Sequence, residues 1–150
     1  MTSQPDPSRL RSTKASATVA KPIDHVWSVL TDHEGMSSWG PGVTVKLLEE
    51  GSPMRNGLGA VRRIAMPGPA PAIVEKVVTF EAPRRFGYAA VSGVPFRDYS
   101  GEVVLTEVSG GGTRIEYSLR YRPRLPLVER LPVAAVTRAL LTAVVRAARA

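Results

Sequence analysis

The chain has 150 residues, 43% of them hydrophobic and 22% charged, which suits one globular domain with a sizeable core and argues against wholesale disorder. It has no cysteine and only two histidines, His25 and His33, which excludes disulfides and thiolate chemistry and argues against a multi-histidine metal centre; no metal or cofactor is expected. The net charge of +7 lies at the ends, with +2 over residues 1–14, −1 over 15–112 and +6 over 113–150.

Residues 1–12 are polar, carry Pro5 and Pro7, and read as a flexible tail ahead of a single domain over 13–150. TKASATVA (13–20) alternates weakly and reads as a first strand. Pro22 is placed to open a helix over 22–31, where Ile23, Val26, Trp27 and Leu30 recur at helical spacing. A second helical turn over 32–38 runs up to Trp39. Six strand-like segments follow: 43–50, 58–66, 73–81, 85–91, 99–108 and 113–122. MPGPAPA (66–72), SGVPFRD (92–98) and the Ser109–Gly112 turn are among their links. Links this short favour an antiparallel meander. The end of the chain reads as a long helix over 133–148, with Val133, Val136, Leu140, Val144 and Ala147 as its apolar stripe. A meander cannot bury one face without a cover, and only this helix is long enough to supply it.

Alternation assigns the strand faces. Ile115, Tyr117, Leu119 and Tyr121 point inward, as do Tyr99, Val103 and Leu105. In 58–66 and 73–81 alternation alone does not choose. Arg62, Ile64 and Met66 share one face, as do Ile73, Glu75 and Val77. The opposite faces carry Val61, Arg63 and Ala65, and Val74, Lys76, Val78 and Phe80. All four tyrosines, Tyr88, Tyr99, Tyr117 and Tyr121, fall on expected inward faces. A hydroxyl there needs a partner, so a partly wet cavity or an oxygen-bearing ligand is expected. The hydroxyl of Tyr121 equally suits the open end of the sheet. Trp27 reads as core, Trp39 as either a wall of the cavity mouth or a corner plug, and His25 and His33 as surface residues.

Several pieces in this order resemble the START-related helix-grip superfamily, whose bacterial members include polyketide cyclase/dehydrase and lipid-transport proteins. They are PIDHVWSVLTD followed by Trp39, GLGAVRRI, VEKVVTFEAPRRFGY, a Val-Pro loop before Tyr99, GGGTRIEYSLRYRP and the long last helix. The resemblance implies an α+β fold in which a curved seven-stranded antiparallel sheet grips the C-terminal helix, with two short helices after the first strand. It implies a cavity between sheet and helix that accepts an apolar or aromatic molecule. Its hormone-receptor branch favours Arg62 and Glu75 pointing inward as a mutually neutralising pair, and places 66–72 and 92–98 as gate and latch loops. No equivalent of that branch's carboxylate-binding cation stands out.

The candidate ligand-binding set is therefore Trp39, Arg62, Ile64, Met66, Glu75, Val77, Tyr88, Tyr99, Val103, Tyr117, Leu140 and Val144, with no catalytic residue assigned. The leading expectation is binding of a hydrophobic or aromatic small molecule, lipid or polyketide-like. An aromatase/cyclase using the same cavity is the alternative, with Arg62 polarising a carbonyl. Nucleic-acid or anionic-membrane binding ranks below both, because the C-terminal arginines are spread over a strand and a helix without an aromatic RNA-binding signature. No apolar run reaches 18 residues, so no membrane span is expected, and the opening MTSQPDPSRLRSTK lacks a signal core, so the cytoplasm is the expected compartment.

Overall fold

The computed structural model describes residues 10–95, 97–123 and 130–150; most of the expected tail, Phe96 of the second loop and the approach to the last helix lie outside the described residues. Strands β1 (Arg11–Val19), β2 (Thr44–Glu49), β3 (Val61–Ala65), β4 (Ile73–Glu81), β5 (Arg85–Ser92), β6 (Arg97–Val108) and β7 (Gly112–Arg122) form one antiparallel sheet in the order β1-β7-β6-β5-β4-β3-β2. The meander expected from the short links is present from β2 to β7, and β1 closes the sheet beside β7 from Arg11↔Tyr121 to Val19↔Thr113. Helix α1 (Ile23–Leu30) and a 3-10 turn over Glu34–Ser38 join β1 to β2, and α2 (Arg130–Arg149) ends the chain.

Local chemistry accounts for most boundaries. Pro22 lies one position outside α1, at its N-cap, where a fixed φ of −62° leads the chain in. The 3-10 turn begins where the Asp32 carboxylate accepts the Gly35 N–H at 3.1 Å; a side chain at position 35 would displace that carboxylate. The strand expected over 58–66 starts only at Val61, because Gly59 takes a φ of +86°. The backbone still pairs there, with the Gly59 N–H donating to the Val77 carbonyl at 3.0 Å.

Two irregularities interrupt the β4–β5 register, the first leaving Val91 of β5 unpaired opposite Val74/Glu75 and the second leaving Val78 of β4 unpaired between Val77 and Thr79, and they add local bend and twist to the sheet. The second also reverses the strand's alternation. Val78 is left exposed, and Phe80, expected on the outer face, packs against the core and meets Trp27 at 5.1 Å between ring centroids.

The inward faces of β6 and β7 are as the alternation requires: Val103, Leu105, Ile115, Tyr117, Leu119 and Tyr121 are all at most 3% exposed. Of the two placements open to Tyr121, its burial favours the inward one over the open end of the sheet. The stripe of α2 is also corrected. Val133, Thr137, Leu141, Val144 and Ala148 are its buried residues, while Val136 is 45% exposed and Leu140 only partly buried. The helix lies chiefly on β1 and β7 and against α1. The inner face of β1 is small there, with Thr13, Ala15 and Ala17. The helix turns Thr137 toward it, and the Thr137 and Thr13 hydroxyls hydrogen-bond each other. At 20 residues α2 is about 30 Å long, enough to cross the sheet.

Candidate functional site

Arg62 of β3 and Glu75 of β4 are Cα partners across one hairpin. Both point inward, at 3% and 4% exposure. Arg62 Nε and Nη2 donate to the same carboxylate oxygen, Glu75 Oε1, at 3.0 and 2.8 Å. Burial works against the charge of Arg62, but the Glu75 carboxylate beside it offsets this and holds the guanidinium protonated. Burial pushes the Glu75 carboxyl up while Arg62 pulls it back. Both hydrogen bonds fall on Oε1, and Glu75 Oε2 accepts none among the described residues.

The third Arg62 nitrogen, Nη1, reaches the 3-10 turn. It donates to His33 Nδ1 at 3.1 Å and to Met36 Sδ at 3.0 Å. The far ring nitrogen of His33, Nε2, faces the Asn56 carbonyl at 2.8 Å. These partners assign the neutral ring with the proton on Nε2. Burial, followed by the nearby Arg62 charge, lowers the His33 pKa from 6.5 to about 4. His33 is fully buried, which overturns its reading as a surface residue. His25 is half-buried as well, with Nε2 donating to the Ala148 carbonyl at 2.8 Å and tying α1 to the end of α2.

A rank of tyrosines lies beside the pair. The Arg62 guanidinium carbon is 4.9 Å from the centre of the Tyr88 ring and 5.6 Å from that of Phe86. The Tyr88 and Tyr117 hydroxyls are 2.5 Å apart, and Tyr99 hydrogen-bonds Tyr88. Tyr88 faces Gly101 across the β5–β6 pair, and any side chain at 101 would overlap its ring. Burial pushes all three phenols well above their ordinary range, so each keeps its proton.

Of the twelve residues singled out from the sequence, the structure brings Arg62, Glu75, Tyr88, Tyr99 and Tyr117 into one polar cluster. Val77, Val103 and Val144 are at most 1% exposed and belong to the packed core. Trp39 and Leu140 are partly buried against that core, and Ile64 is half-buried opposite Ile73. Met66 is 46% exposed at the start of the proline-rich loop, which corrects its assignment to a cavity wall. His33 and Met36 were missed, because they lie on a turn where strand alternation has no reach. One signal was available: a buried guanidinium has five donors, and Glu75 alone cannot satisfy them.

A recess of about 410 Å³ lies elsewhere, lined by residues that include Lys21, Val108, Gly110, Gly112 and Arg149, and touches none of the polar cluster. Among the described residues no group of acidic or histidine side chains is placed to hold a metal, and no helix is long and apolar enough to cross a membrane.

Three solved structures share this architecture. Ara h 8.0201 superposes with a TM-score of 0.73 at 14% identity, over 93% of this chain and 98% of its own. The Zhui aromatase/cyclase from Streptomyces sp. R1128 gives 0.73 at 23% identity, over 94% of each chain. Norcoclaurine synthase from Thalictrum flavum, in complex with dopamine and hydroxybenzaldehyde, gives 0.72 at 16%, over 92% of this chain and 86% of its own. At these identities the likeness establishes the helix-grip fold. A search of curated proteins gave no match. The family model described as polyketide cyclase / dehydrase and lipid transport matches residues 11–150, and the chain belongs to that family.

Proposed function

We propose that the protein binds a hydrophobic or aromatic small molecule, lipid or polyketide-like, between the sheet and α2, with Arg62, Glu75 and the tyrosines as its polar anchor. The observation that carries this reading is a carboxylate oxygen of the nearly buried Glu75, Oε2, which accepts no hydrogen bond among the described residues and lies beside three linked phenols. Buried polar groups are nearly always hydrogen-bonded, and a charged one left open is costly unless something completes it. Native mass spectrometry of the purified protein tests this. A co-purifying small molecule that is lost in the Arg62→Met/Glu75→Leu double variant supports the proposal, and a bare protein that also binds no aromatic or lipid probe overturns it.

The aromatase/cyclase reading draws on the family and on one of the structural relatives. Chemistry on a poly-β-keto chain needs a group that moves a proton. His33 has both ring nitrogens engaged and the phenols keep their protons, which leaves Glu75 Oε2 as the free acceptor of the cluster. Binding therefore ranks ahead of turnover. Turnover of a poly-β-keto substrate by the wild type, lost in Glu75→Gln with binding retained, would reverse that order.

A further inference from the structure

We propose that the anchor selects an uncharged ligand presenting a hydroxyl, phenol or enol O–H to Glu75, and that it rejects carboxylates. The inference rests on the proposed binding site and narrows its substrate class.

The donor inventory of Arg62 decides the matter. A guanidinium has five N–H donors. Nε–H and one Nη2–H go to Glu75 Oε1, and the two Nη1 hydrogens go to His33 and Met36. One Nη2 hydrogen remains. Tight recognition of a carboxylate by arginine uses two parallel N–H groups on one edge, and no edge of Arg62 has two free. A single donor suits a carbonyl or ether oxygen instead.

Charge gives the same answer. The positive charge of Arg62 is already matched by Glu75 at 2.8 Å. A ligand carboxylate would bring a second anion beside Glu75 in a site removed from water, where like charges repel strongly. His33 offers no relief, since it is neutral and its only N–H is committed to the Asn56 carbonyl. The open group is an acceptor, Glu75 Oε2. It calls for a donor, and an O–H is the donor that a neutral hydrophobic metabolite most readily supplies. Its own oxygen can then accept from a phenol or from the remaining Arg62 N–H.

Calorimetric titration of the wild type at pH 7 with 2-naphthol, 2-naphthoate and 2-methoxynaphthalene tests this. The three share one apolar body and differ in the polar group. The expected result is 2-naphthol binding about tenfold or more tightly than either of the others, each tenfold being about 1.4 kcal/mol. In the Arg62→Met/Glu75→Leu variant its advantage over the ether should fall to within about twofold. Equal binding by all three, or preference for the naphthoate, overturns the selectivity and leaves the binding site standing. No binding by any of them overturns the binding site and the selectivity together.

Discussion

The two ends of the sheet solve the same burial problem in opposite ways. Over β1 and β7 the cover is α2, which meets small residues and one hydroxyl pair, Thr13 with Thr137. The two hydroxyls are matched by each other. Over β3 and β4 the cover includes the 3-10 turn, and it meets a salt bridge, a neutral histidine and a thioether around Arg62. That end is matched on the arginine side and left open on the Glu75 side. A fold that needed only a core would have no use for the second arrangement, since apolar residues of similar volume replace buried ion pairs at little cost. On the binding function proposed above, the difference separates the part of the sheet that holds the domain together from the part that recognises a ligand.

The largest expected effect breaks the polar end. Arg62→Met leaves Glu75 buried without its partner and should destabilise by about 3–5 kcal/mol. Arg62→Met/Glu75→Leu should recover much of that loss. Thermal unfolding of the two single variants and the double measures the coupling, and additive sub-kilocalorie effects would show that the pair is not desolvated.

At the apolar end, Leu141→Ala should cost about 2–5 kcal/mol, because Leu141 lies on the buried stripe. Leu140→Ala should cost less, and Val136→Ala should fall within about 0.5 kcal/mol, as for an exposed position. The reverse ranking in denaturant titrations would restore the stripe read from the sequence.

That misreading marks the limit of legibility. The sheet was readable because strand alternation has a period of two and a one-residue error inverts every side chain. Arg62 and Glu75 followed once their face was fixed, as did the tyrosines. The helix was harder, because its stripe is continuous around the axis and a shift of one position exchanges Val136 for Thr137. A threonine carries no apolar signal, and the partner of Thr137 on β1 is distant in sequence. Phe80 was lost to a bulge, and His33 to a turn with no periodicity. Each miss depends on an interaction between distant segments that no local pattern encodes.

The histidine gives the polar end a pH signature that the apolar end lacks. In the folded chain His33 titrates near pH 4, below its ordinary 6.5, so folding favours the neutral ring. That contribution is fully present above about pH 6.5 and is lost as pH falls toward 4. It amounts to about 3 kcal/mol over the window. Glu75, shifted upward, contributes in the opposite direction and is present in any His33 variant. The stability difference between wild type and His33→Gln, followed by urea titration from pH 7 to 4, should therefore move by up to about 3 kcal/mol against the wild type. A flat difference would mean that the ring is not held neutral by burial and Arg62.

The smallest effect sharpens the comparison from the other side. Thr137 is 1% exposed, and its hydroxyl donates to the Val133 carbonyl at 2.9 Å in addition to meeting Thr13. Thr137→Val keeps the shape and removes the hydroxyl. The Thr13 hydroxyl loses its partner, but Thr13 is only half-buried and can turn to water. The Val133 carbonyl keeps its place in the helix. The cost should be about 1 kcal/mol, that of one neutral hydrogen bond. Thr13→Val/Thr137→Val should be close to neutral, because both partners leave together. The coupling in this pair should be several times smaller than that between Arg62 and Glu75. Equal couplings in the two cycles would mean that charge and desolvation do not distinguish the two ends of the sheet.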